Sequence, residues 1–140
     1  MIQRPQTIWL LLASALAFAT LKLSLFSGNL LVENLKQFQR FTAMSSIPLM
    51  ILTVGVAIAS LIAIFLFKNR KLQIRISLAA LVVSLLTIFL GYLQTKNFLP
   101  DEWSFDLTSL LYVAIPILLI LAIRGIYLDE KLIKSVDRLR

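Results

Sequence analysis

The sequence contains no cysteine and no histidine. The first absence excludes disulfides, thiolate nucleophiles and soft metal sites. The second removes the commonest general base and the usual haem ligand. Acidic residues are scarce, seven against fourteen lysines and arginines, so the net charge is +7. Long polar stretches are also lacking. The longest, residues 27–46, is only 20 residues, which leaves no room for a separate soluble domain. The scarcity extends to chemistry: there is no H-E-x-x-H, no glycine-rich phosphate loop and no Ser/His or Cys/His pairing.

What is present is apolar. Hydrophobic residues make up 59% of the chain, against about 45–50% in soluble domains. They are gathered into long runs, which indicates bilayer segments. A nucleic-acid binder would collect its bases on a soluble face with interleaved aromatics. Here the bases flank the apolar runs instead, so nucleic acid is not an expected partner.

The runs predict an all-α fold: a four-helix transmembrane bundle forming one integral membrane domain over residues 1–140. The spans are expected near 5–26, 46–67, 72–94 and 106–126, with a short amphipathic helix over 127–140 that either continues the fourth span or lies along the inner leaflet. Pro5 suits a first helical turn, and Trp9 suits the interface. Lys22 lies close enough to the end of the first span to reach the headgroups. Arg4, the apolar stretch and Ala17-Phe18-Ala19 also resemble a cleavable signal peptide; retention of the first span is the preferred reading. Residues 27–46 form the first outer loop. There Leu30, Leu31, Leu35, Phe38 and Phe41 are spaced roughly like one helical face, which predicts an amphipathic surface helix, with an irregular loop as the alternative. Ser45 or Ser46, with Pro48, should start the second span, and Ser104 or Asp106 should cap the fourth.

Two stripes of small residues are candidate helix seams: Gly55, Ala59 and Ala63 on the second span, and Ser77, Ala80 and Ser84 on the third. Small side chains let helices approach closely. Pro116 removes a hydrogen bond to the Tyr112 carbonyl and should kink the fourth span. Asp101, Glu102 and Asp106 could in principle hold a hard cation, but three loop acids read first as a solvated surface or a cap. No metal or other cofactor is expected, and no acid lies deep in a span, which counts against an ion-coupled pump.

Charge sets the threading. Ten bases fall on one side: Arg4, Lys68, Arg70, Lys71, Arg75, Arg124, Lys131, Lys134, Arg138 and Arg140. Lys22, Lys36, Arg40 and Lys96 fall on the other. The positive-inside rule then places both termini in the cytoplasm. The central basic loop, residues 68–75, should be a tight hairpin at the inner surface. Lys68, Arg70, Lys71 and Arg75 are expected to meet Lys131, Lys134, Asp137, Arg138 and Arg140 as one cytoplasmic face. Its partners would be anionic lipid headgroups or another membrane protein.

Three groups of landmarks carry a family resemblance. They are Met1-Ile2-Gln3-Arg4 with Gln6-Thr7, the stretch Phe67-Lys68-Asn69-Arg70-Lys71-Leu72-Gln73-Ile74-Arg75, and Asp129-Glu130-Lys131 with Asp137-Arg138-Leu139-Arg140. Together they resemble a four-span inner-membrane family of Bacteroidota catalogued as a domain of unknown function. Pro5 departs from that family's commonly proline-free start. The resemblance implies inner-membrane residence and retention of the first span; it brings no catalytic residues.

The expected function is therefore non-enzymatic: an accessory or assembly subunit of a larger inner-membrane complex for secretion, translocation or respiration. The alternative is a lipid- or small-molecule-binding protein, or a transporter-like oligomer, with Pro116, Tyr112 and the outer-loop aromatics lining its site. A membrane enzyme using Asp101, Glu102 and Asp106 ranks last.

Overall fold

The structure, a computed structural model, describes residues 5–137. Four helices pack in a closed ring. They are α1 (Pro5–Thr20), α2 (Ile47–Phe65), α3 (Arg70–Gln94) and α4 (Ser109–Asp137). α1 lies against α2 and α4, and α3 packs on the same two helices. Single turns of 3₁₀ helix precede α2 and follow α3. α2, α3 and α4 are each long and apolar enough to cross a membrane, whereas α1, at 16 residues, is shorter.

The outer faces of the helices carry large apolar side chains such as Ile8, Leu11, Ile51, Ile58, Leu85, Phe89, Ile117 and Ile120. The seams between them hold small and polar ones: Ala13, Ser14 and Ala17 on α1, Ala57, Ser60 and Ala63 on α2, and Ser77, Ala80 and Ser84 on α3. This inside-out distribution suits a body solvated by hydrocarbon. There association comes from close packing and hydrogen bonds, not from hiding apolar surface from water. It marks a membrane protein.

The all-α expectation is corrected by a three-stranded antiparallel sheet at one end of the ring, ordered β2-β1-β3. Its strands are β1 (Ser24–Val32), β2 (Leu35–Thr42) and β3 (Trp103–Phe105). The predicted surface helix over 27–46 is instead the β1–β2 hairpin. Glu33 and Asn34 turn it with φ of 51° and 67°, the sense that two-residue hairpin loops require. The first helix accordingly ends at Thr20, and Ser24-Leu25-Phe26, expected inside the span, begin the sheet.

Long-range pairing explains the override. β1 is bonded along one edge to β2 and along the other to β3, a segment that follows α3 in the chain. An amphipathic helix would forgo both ladders. A core at the foot of the sheet adds to this: Phe26 stacks on Phe41 at 4.7 Å and meets Phe98 edge-on at 5.0 Å. Register slips between Ser24 and Phe26, and the bulged Leu25 is buried against Gly91 of α3, where any Cβ would lie 2.6 Å from its Cδ2. Gly28 is obligatory, because a Cβ there would come within 2.5 Å of Trp103 Cβ and 2.8 Å of its Cα across the ladder.

Of the two alternatives for the amphipathic segment over 127–140, continuation of the preceding helix holds: α4 runs on as far as Asp137. Pro116 is buried, and α4 is helical on both sides of it. Ser46 occupies the N-cap of α2 without a side-chain bond, with Pro48 in the first turn. The Ser45 hydroxyl accepts instead from the Thr42 amide at 3.1 Å.

Candidate functional site

The end of the ring opposite the sheet is built by the connection between α2 and α3. Asn69 starts α3, its side chain accepting from the Leu72 amide at 3.3 Å. Gln73, one turn further on and 1% exposed, donates Nε2 to the Ala63 carbonyl at 2.8 Å. That carbonyl lies in the last turn of α2, where no intrahelical donor remains. The basic connection is therefore only residues 66–69; Arg70, Lys71 and Arg75 stand on the first turns of α3.

This geometry brings part of the sequence-derived set together. A cleft of about 450 Å³ is lined by Phe67, Lys68, Asn69, Arg70, Lys71, Glu130, Ile133 and Lys134. Lys134 pairs with Glu130 at 2.8 Å within α4. Nη1 of Arg70 is buried and has no hydrogen-bond partner among the described residues. Arg75 and Lys131 are exposed at the same end but do not line the cleft. Asp137 is the last residue of α4, while Arg4, Arg138 and Arg140 lie outside the described residues.

The helix-packing candidates divide. Ser77, Ala80, Ser84 and Ala63 are buried in the seams. Ala59 is half-buried, and Gly55 is exposed with nothing within 4 Å of an added Cβ. The packed face of α2 runs instead through Thr53, Val56, Ala57 and Ser60. Ser14 of α1 donates to the Ala57 carbonyl there at 3.0 Å, a contact between helices.

At the sheet end the three acids separate. Glu102 accepts from the Lys36 ammonium and from the Asn29 side chain at 3.0 Å. Lys36 first and Asn29 second hold its carboxyl below the ordinary value of 4.5. Asp106 accepts from the Ser27 hydroxyl at 2.8 Å, tying β1 to the start of α4. Asp101 sits at a φ of 64° in the loop before β3. Among the described residues no three acids gather as metal ligands.

Tyr112 belongs to the core at the sheet end. It is buried, and its hydroxyl donates to the carbonyls of Thr20, the last residue of α1, and Leu23, at 2.7 and 3.2 Å. A second cleft, about 480 Å³ and almost wholly apolar, opens between α3 and α4 beneath the sheet. Leu25, Leu85, Ile88, Phe89, Tyr92, Phe105, Ser109 and Val113 line it. Pro116 and Tyr112 take no part in it.

Sequence reasoning missed the hairpin itself. Every residue of its distal half, from Leu31 to Arg40, is exposed, including Leu35 at 66% and Phe38 at 64%. The only local signal is Glu33-Asn34, a turn pair without the glycine that usually announces such a hairpin.

The chain matches the family described as Domain of unknown function (DUF4293) over residues 2–139, and it belongs to that family. No curated protein and no solved structure matches it.

Proposed function

We propose that this family member is a non-enzymatic protein of the bacterial inner membrane, in a Bacteroidota setting. It crosses four times with both termini in the cytoplasm and serves as an accessory or assembly subunit of a larger membrane complex. Ten bases against four in the sequence support the threading, and among the described residues seven lie toward one end of the ring and four toward the other. α1 completes the fourth crossing. Its 16 residues reach about 24 Å, and its packing on α2 and α4 supports a fourth crossing beside them.

The observation that carries the accessory role is the exposed half of the β1–β2 hairpin. Leu31, Val32, Leu35 and Phe38 are solvent-facing there, on both faces of a strand pair whose β2 edge is open. Exposed apolar edges are normally blunted or covered. A protein partner at the extracytoplasmic surface covers this one.

Affinity purification from native membranes in mild detergent, followed by mass spectrometry, tests the reading. Wild type should bring down a reproducible partner, and Leu35→Asp/Phe38→Asp should lose it while still inserting. A protein that runs as a lone protomer under every mild condition would contradict the role.

The apolar cleft between α3 and α4 favours a second reading, a protein that holds a lipid or another apolar small molecule. Its lining has the character of a site for an acyl chain.

A further inference from the structure

We propose that the cleft between the 66–69 connection and the last turns of α4 binds the phosphate of an anionic phospholipid headgroup. The inference rests on the reading that the helices cross a membrane with this end at the bilayer surface. Four cations, Lys68, Arg70, Lys71 and Lys134, converge on the cleft against one carboxylate, Glu130. That carboxylate is already engaged by Lys134. Arg70 supplies the specific handle. Its Nη1 is buried and unpartnered among the described residues, and a buried guanidinium N–H without an acceptor is costly to leave so. With Nη1 closed to solvent, a phosphate in the open cleft meets the exposed remainder of this half-buried side chain, and guanidinium geometry suits phosphate.

The start of α3 adds a second attraction. The amides of Arg70 and Lys71 belong to the first helical turn, which has no intrahelical acceptors and carries the positive end of the helix dipole. The apolar rim selects a lipid over a free anion. Phe67 and Ile133 line the same cleft and are 60% and 45% exposed. A free phosphate gains nothing from these side chains, whereas the glycerol and upper acyl carbons of a phospholipid cover them.

The test uses the full-length protein reconstituted in phosphatidylcholine vesicles with and without phosphatidylglycerol. Retained lipid is counted by native mass spectrometry after gentle detergent release. Wild type should keep phosphatidylglycerol in preference to phosphatidylcholine. Arg70→Gln/Lys71→Gln should reduce that retention by about fivefold for each cation removed. Arg75→Gln/Lys131→Gln removes the same charge from the same end but off the cleft, and should leave retention unchanged. If the first variant does not elute as wild type does, Lys71→Gln/Lys134→Gln replaces it, because it spares the half-buried Arg70.

Equal losses in the on-cleft and off-cleft variants would show only a diffuse surface field and overturn the proposal. So would an absence of preference for phosphatidylglycerol. Displacement of phosphatidylglycerol by millimolar inorganic phosphate would assign the cleft to a free anion and overturn the lipid assignment. Alkaline carbonate extraction of the vesicles separates the two levels. Loss of the protein from the bilayer refutes the membrane reading, whereas retention without lipid preference refutes the headgroup site alone.

Discussion

Tyr112 shows how one hydroxyl joins distant parts of the chain. Its two acceptors lie at the end of α1 and in the turn beyond it, where carbonyls lack intrahelical donors. Tyr112→Phe keeps the ring in the core formed with Phe26, Leu49 and Phe98 but leaves both carbonyls without this donor. Hydrogen bonds between helices of membrane proteins contribute on the order of 1 kcal/mol. Thermal unfolding in micelles should therefore show a modest loss of stability with unchanged helix content. An unaltered midpoint would mean that water or lipid satisfies those carbonyls. Tyr112 was visible in the sequence only as a polar aromatic in an apolar run. Its partners lie some ninety positions away, and no local pattern encodes them.

Among the elements, the hairpin is the one whose behaviour should depend on pH. Lys36 near its tip is held by Glu102, whose carboxyl titrates below 4.5 in the folded protein. A depressed carboxylate contributes its stabilisation above the unfolded value and loses it as pH falls through the folded one. A spin label on an introduced cysteine at the exposed Gln37 should stay restricted near neutral pH. It should gain mobility only as pH falls through the lowered range in which Glu102 takes up its proton. With Glu102→Gln the label should be mobile throughout, and a wild-type label indifferent to acid would sink the coupling.

The hairpin was illegible for a reason that can be named. Leu31, Leu35, Phe38 and Phe41 recur every three or four residues, which mimics a helical face, while only Phe41 of these turns into the core. The seams were half legible for a similar reason. α2 carries small residues on two faces, and spacing alone chose Gly55 and Ala59 over Thr53 and Ala57. On α3 the small residues other than the exposed Ala79 lie on one face, and Ser77, Ala80 and Ser84 were read from the sequence directly.

For the whole molecule, topology is the decisive measurement. Cysteines introduced at Gln37 and Ser135 stand at opposite ends, one on the hairpin and one in the last turns of α4. In intact cells an impermeant thiol reagent should label Gln37→Cys only, and Ser135→Cys only after the membrane is opened. Labelling of both from outside would refute the threading. The three long apolar helices were legible because a bilayer imposes a length on each apolar run, and the proposed threading rests on the sign of the flanking loops. The basic connection after α2 was legible for the same reason, and Asn69 with Gln73 supplies the local chemistry that closes it.

The strand order has a further consequence, for the sequence of events in biogenesis. β1 is the central strand, yet one of its two neighbours, β3, is synthesised only after α2 and α3. On a growing chain the sheet therefore stays a two-stranded ribbon until the α2–α3 pair has been delivered and its far end has emerged beside β1. Until then Phe26 lacks Phe98 and Trp103, and the main-chain groups of β1 that will face β3 are unfilled. Arrival of β3 is the step that closes the sheet and seats α4 beneath it, so maturation of this protein ends at its sheet.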